Sequence, residues 1–289
     1  MQMRAARANG IDFAYLELGP ADGPLALCLH GFPDTAHTWR HLLPVLAEAG
    51  YHAVAPWMRG YAPTGLPATP VYQVGALASD ASALHEALGG DHRAVVVGHD
   101  WGAFAAYGTA GLDPDRWRRV VTMAVPPLAA TAEGFFSYRQ LKRSFYVFLF
   151  QLPLAEAALA VDDGAFIDHL WQDWSPGYDG TWDVARVHEA LGDPERTAAA
   201  VGYYRALFDP ALQDPAYGAA QAAAGSAPPQ PTLYLHGTDD GALGLDAIGD
   251  VGSVLSPGSE HIVVEGTGHF LHLERPELVA GHVVRFLAS

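Results

Sequence analysis

The most reactive stretch of this sequence is an aspartate held between two glycines where a strand meets a helix. In Val95-Val96-Val97-Gly98-His99-Asp100-Trp101-Gly102-Ala103, three β-branched residues read as the end of a buried strand, and the Ala-rich run after Gly102 favours a helix. The spacing Gly-x-Asp-x-Gly lets the chain turn sharply while the central side chain stands clear of the sheet, the geometry of a nucleophile elbow. A serine there would need a base to take its proton. A carboxylate is ionised at neutral pH and suits displacement at a saturated carbon. The alternative is a cap: Asp100 could accept hydrogen bonds from the free N–H groups that open the helix. Spacing alone leaves both readings open.

Other polar residues fall just beyond the ends of further buried runs. They are His30-Gly31-Phe32-Pro33, Asp239-Asp240 and His269. An open parallel sheet binds its ligands at the carboxyl ends of its strands, so these positions converge. The chain order Asp100, then Asp240 (or Asp239), then His269 is that of nucleophile, acid and base in an α/β-hydrolase arrangement.

The elements that must carry these residues alternate. Strands are expected at 11–18, 25–29, 52–55, 94–97, 120–124, 232–236 and 261–265. Helices are expected at 39–47, 74–88, 101–110, 243–248 and 276–287. This alternation specifies a mostly parallel sheet flanked by helices. It breaks after the strand ending near Ala124, where helical runs rich in Phe, Tyr and Trp follow with no convincing strand. The expected organisation is an α/β core of residues 1–127 and 220–289, with an all-helical cap of 128–219 inserted into it.

Composition narrows the partners. The chain has 289 residues, a formal charge of −16, half its residues hydrophobic and 17% charged, which suits one large domain with a substantial core. With no basic cluster apparent, nucleic acid and anionic membranes are poor partners. Cys28 is the single cysteine, so neither a disulfide framework nor a Cys-rich metal site is expected. The first ten residues lack an apolar signal core, and the apolar run 145–161 is broken by Gln151, Pro153 and Glu156. A cytoplasmic protein is expected, either a monomer or a homodimer.

Taken together, these motifs resemble the epoxide hydrolase group of the α/β-hydrolases over nearly the whole chain. His30-Gly31-Phe32-Pro33 resembles the group's His-Gly-x-Pro loop. Gly98-His99-Asp100-Trp101-Gly102 resembles its Asp-centred elbow, His236-Gly237-Thr238-Asp239-Asp240-Gly241 its acid loop, and Gly266-Thr267-Gly268-His269-Phe270 its base loop. The acid-loop pattern selects Asp240 over Asp239. Within the helical insertion, Tyr146 lies five residues before Gln151, and Tyr204 precedes Arg205; both resemble the group's tyrosine segments, with Tyr203 the competing register.

The resemblance implies a mechanism without metal or cofactor. Asp100 opens the epoxide ring, and Tyr146 and Tyr204 hold and protonate its oxygen; the aromatic-rich, uncharged insertion points to small to medium apolar epoxides. His269, oriented by Asp240, activates a water that hydrolyses the resulting ester. The backbone amides of Phe32 and Trp101 form the oxyanion hole, and both residues line the substrate site with the tyrosine pair. His30, Gly31 and Pro33 shape the loop, and a cis Phe32–Pro33 bond is compatible with it. His272, three residues after His269, is the alternative base, although its Leu-rich surroundings suit packing; His99 and the remaining histidines read as packing or support, and Trp171, Trp174 and Trp182 read as packing or, for one of them, pocket lining.

Two rivals stand beside this reading. A haloalkane or haloacetate dehalogenase shares the Asp-His-Asp set, but those groups typically carry Asn where Phe32 stands or Arg where Trp101 stands. A non-catalytic ligand-binding protein of the same fold would be expected to have lost one member of the set. In the loop Pro56-Trp57-Met58-Arg59-Gly60-Tyr61, Trp57 stands where the group often has an acid.

Overall fold

In the computed structural model, residues 1–131 and 134–289 are described. They form an eight-stranded sheet: β1 (Gln2–Ala8), β2 (Ile11–Leu18), β3 (Leu25–Leu29), β4 (His52–Pro56), β5 (Ala94–His99), β6 (Trp117–Met123), β7 (Thr232–Gly237) and β8 (Glu260–Val264). The spatial order is β1-β2-β4-β3-β5-β6-β7-β8. β2 is antiparallel to both its neighbours, and the pairs from β4 through β8 are parallel.

The sequence accounts for most of this. β3, β4, β5 and β7 are buried at every position, as expected of parallel strands covered on both faces. In β5, Val95, Val96 and Val97 are fully buried, each side chain contributing about 1.5–3 kcal/mol. Helices Val74–Ala87 and Trp101–Leu112 pack on one another, Gly108 letting Ala78 approach too closely for a further Cβ.

Two expectations need correction. β1 adds an edge strand beyond those expected, and its sequence, Gln-Met-Arg-Ala-Ala-Arg-Ala, carries no strand signal because it is mostly exposed and lacks an apolar face. The helix expected at 243–248 is a single 3₁₀ turn, Leu245–Ala247. Asp240 Oδ1 accepts the N–H groups of Ala242 and Leu243, and that local capture holds the chain in a turn instead of a helix.

The described residues between β6 and β7 contain helices and no strand. The longer ones are Ala165–Trp174, Thr181–Leu191 and Pro194–Phe208. Gly218–Ala223, the last helix before β7, lies against the core, where Gln221 Oε1 accepts the Gly75 N–H. No helix among the described residues is long and apolar enough to cross a membrane.

Candidate active site

The sheet order reverses between β3 and β5, and the loops after these two strands meet there. Asp100 follows β5 with φ 52° and ψ −118° and makes no capping hydrogen bond, so the cap reading does not hold. A non-glycine residue in this region costs about 1–3 kcal/mol and persists only where its surroundings over-determine it. The surroundings here are tight. A Cβ on Gly98 would collide with the Gly102 carbonyl, and one on Gly102 would collide with the Leu29 carbonyl. Gly31 lies so close to the Asp100 carboxylate that it too has no room for a side chain.

From the β3 loop, the Phe32 N–H donates to Asp100 Oδ1 at 2.7 Å, and Phe32–Pro33 is cis. His30 holds this loop: its Nε2 accepts the Met58 N–H at 3.0 Å and its Nδ1 lies 2.8 Å from the Gly31 carbonyl. Burial pushes the His30 imidazole down to about 4, so it serves as a neutral strut. Burial also raises the Asp100 carboxyl above its ordinary value, opposed by the His269 imidazole and the Phe32 and Trp101 amides, which favour the charged form.

His269 and Asp240 complete the set. His269 Nδ1 lies 2.9 Å from Asp240 Oδ2, leaving Nε2 buried, without a hydrogen-bond partner and 3.7 Å from Asp100 Oδ2. Asp239 instead uses its backbone N–H to bind the Thr267 carbonyl. Burial works against a charged His269, yet Asp240, followed by Asp100, carries its pKa above the ordinary imidazole value. Burial likewise opposes charge on Asp240, but His269 and His236 together with the Leu243 amide hold its carboxyl below the usual value.

Two phenols stand close by. The rings of Tyr146 and Tyr204 meet edge to face at 5.7 Å, and the buried Tyr204 hydroxyl has no hydrogen-bond partner. Burial, and then nearby charge that includes Asp100, raises both phenols well above their ordinary value, so each remains an O–H donor. Tyr203 points elsewhere, donating to the Arg59 carbonyl at 2.5 Å. A clamp fixes the register: Gln151 Nε2 donates to the carbonyls of Val147 and Tyr204, while Arg205 donates to the Phe150 carbonyl and pairs with Glu156.

Trp174, read from sequence as packing, contributes more than that. Its carbonyl accepts the N–H groups of His269 and Gly241, and its ring packs against both His269 and Tyr146 with centroids 5.0 Å away in each case. No spacing signal separates it from Trp171, whose indole N–H binds the Pro33 carbonyl. Trp182 is half exposed, near His37.

Behind His269 lies a cluster invisible in the sequence. His99 Nε2 meets the His269 carbonyl at 3.0 Å, turning its ring away from Asp100 toward Asp34, while His272 stacks on Trp39 and bonds Thr38. Asp34, His99 and His272 bring ligand atoms within 4.8 Å of one another, close enough to hold a metal ion. Burial favours the neutral form of all three, pushing the Asp34 carboxyl well up and both imidazoles well down, while Asp34 Oδ2 and the Nδ1 atoms of His99 and His272 make no hydrogen bonds. His272, so enclosed, does not face Asp100 as a base would.

Comparison with known proteins places the chain. The family pattern described as the alpha/beta hydrolase fold matches residues 24–276. The chain belongs to this family. The hydrolase is 31% identical to epoxide hydrolase A of Mycobacterium tuberculosis over 99% of its own length and 97% of the relative's. It is 30% identical to an epoxide hydrolase of Caballeronia sordidicola, over 97% and 92% of the two chains. Among solved structures, epoxide hydrolase A of Mycobacterium thermoresistibile superposes with a TM-score of 0.81 at 26% identity, covering 100% of this chain and 98% of that one. An epoxide hydrolase from Vigna radiata gives 0.80 at 27%, covering 99% and 98%. Within its family, the hydrolase falls in the epoxide hydrolase group.

Proposed function

We propose that this hydrolase converts epoxides to vicinal diols through a covalent ester on Asp100. The observation that carries the reading is that two buried phenols, their rings in contact and both close enough to Asp100 to feel its charge, stand beside one buried carboxylate. Asp100 attacks a ring carbon and the C–O bond breaks. The ring oxygen takes a proton from Tyr146 or Tyr204, and the developing alkoxide is stabilised by both O–H donors. A dehalogenase would have to bind a departing halide here, and phenols that meet an alkoxide with a proton suit the epoxide better. The names of the relatives point the same way.

The second half-reaction uses the gap beside Asp100. His269, oriented through Nδ1 by Asp240, takes a proton in its neutral form at Nε2 from a water that attacks the ester carbonyl carbon. The oxyanion forms on Asp100 itself, where the amides of Phe32 and Trp101 lie. Residues 128–219 act as the cap that supplies both tyrosines and closes the pocket over 1–127 and 220–289. The residues of this mechanism need neither metal nor cofactor.

The test is a single-turnover reaction of the His269→Gln variant with styrene oxide, read by intact mass and peptide mapping. Gain of one epoxide mass on Asp100, with diol formed by the parent enzyme, supports the mechanism. Gain only from a haloalkane with halide release would replace it with the dehalogenase reading. No adduct and no turnover from either would return the chain to a non-catalytic binder.

A further inference from the structure

The reacting groups are shut in: Asp100 is 8% exposed, Tyr204 3% and His269 1%. A cavity of about 250 Å³ opens nearby among the helices of the insertion, and Phe32 is the one residue of the loop after β3 that lines it. Phe32 is the point of contact between the two. Its amide bonds Asp100, and its ring packs edge-on against Tyr204 and Phe150, at 5.3 and 5.5 Å. A group bound on one side of this ring is a neighbour of the reacting carbon on the other.

The cavity has two chemistries. Leu159, Ile167 and Leu191 give it apolar walls, and Glu156, Asp163 and His188 give it a polar mouth. Arg205 neutralises Glu156, and His188 Nε2 lies 2.9 Å from Asp168 Oδ1; among the described residues Asp163 has no ion pair. With those two pairs set aside, the Asp163 carboxylate leaves an excess of negative charge at the mouth. The rim also carries strained backbone, with Asp163 and the preceding Asp162 in the left-handed region at φ 56° and 52°. Such strain concentrates at ligand clamps.

We infer that this cavity receives the substituent of the epoxide, so that the preferred substrates carry one long, uncharged apolar arm, with Phe32 as the boundary between arm and reacting ring. The inference rests on the epoxide-opening reading and adds the substrate class. At about 30 Å³ of liquid volume per water-sized group, the space takes roughly eight methylenes. An arm ending in a carboxylate would bring its charge against Asp163 and the other acids of the mouth, a mismatch that rejects it.

The test compares kcat/KM for styrene oxide, 1,2-epoxydecane and 9,10-epoxydecanoate in the parent enzyme and two variants. The parent is expected to prefer epoxydecane over the carboxylate by about tenfold or more. Ala160→Trp, at an exposed position of the rim, fills the cavity and should cut the ratio of epoxydecane to styrene oxide by about tenfold, the scale on which apolar pockets discriminate. Phe32→Leu keeps the amide, thins the boundary and should raise the same ratio. The inference is overturned if Ala160→Trp leaves that ratio unchanged, or if the carboxylate is hydrolysed as well as epoxydecane. Failure of the parent on all three epoxides would sink the epoxide reading itself, and it would be seen before any variant is compared.

Discussion

At the scale of the residue, neighbouring tyrosines with near-identical sequence context have different tasks. Tyr204 Oη is unpartnered and close enough to Asp100 to feel its charge, whereas Tyr203 is committed to the Arg59 carbonyl. Tyr204→Phe is therefore expected to slow ester formation by about 10²–10³-fold, the usual effect of losing one preorganised donor. Tyr203→Phe should leave ester formation near the parent rate and cost stability instead, about 1–3 kcal/mol, because the buried Arg59 carbonyl loses a donor. Stopped-flow fluorescence and thermal melts separate the two. His269 gives a pH expectation of definite sign. As a base it acts only when neutral, and its neighbours raise its pKa, so ester hydrolysis should rise with pH with a midpoint above 6.5. Below that midpoint the alkylated enzyme accumulates. Asp240→Asn removes the main opposition to burial and should move the midpoint below 6.5. Quenched single turnovers followed by mass across pH would show both, and an unmoved midpoint would mean that Asp240 does not tune the base.

At the scale of the element, the elbow is where backbone geometry leaves least freedom. A methyl on Gly102 meets the Leu29 carbonyl, which is backbone and cannot swing aside, so Gly102→Ala should destabilise by about 1–3 kcal/mol. Gly281, inside the helix Pro276–Ala288 with open space around it, is the opposite case: Gly281→Ala should stabilise by up to about 1 kcal/mol. Thermal unfolding of the two variants provides a matched check. The same contrast explains what the sequence made legible. Buried strands such as β5 announce themselves by unbroken apolar runs, and the elbow by glycines whose Cβ positions are occupied by backbone. β1 carries no such signal, since an exposed edge strand is held by its ladder to β2 and not by an apolar face. Positions 243–248 misled for another reason: their helical pattern was overridden by one carboxylate, Asp240, whose partners are visible only in three dimensions. Trp174, and the meeting of Asp34, His99 and His272, depend on contacts between residues far apart in sequence, which no local pattern encodes.

At the scale of the whole molecule, the helical insertion is bonded to the loops that carry Phe32, Asp240 and His269. Trp171 Nε1 binds the Pro33 carbonyl of the oxyanion loop at 2.8 Å, and the Trp174 carbonyl accepts the amides of both the base loop and the acid loop. Farther out, Tyr203 and Arg196 donate to the Arg59 and Thr64 carbonyls, and Ala62 to the Ala190 carbonyl. Much of the interface is buried and aromatic, with the Trp171 ring stacked on Phe270 at 3.5 Å. An insertion tied in this way cannot melt without pulling on the oxyanion, acid and base loops. Calorimetry is therefore expected to give one cooperative transition, with activity lost along the same curve. Trp171→Phe sharpens the test, because it keeps a ring against Phe270 while removing the N–H that reaches Pro33. It should lower the midpoint through a loss of about 1–3 kcal/mol at a buried carbonyl while leaving a single transition. A second, earlier transition, with activity lost in it and the sheet still folded, would mean that the helices between β6 and β7 unfold as an independent unit and that these bonds do not couple the two parts.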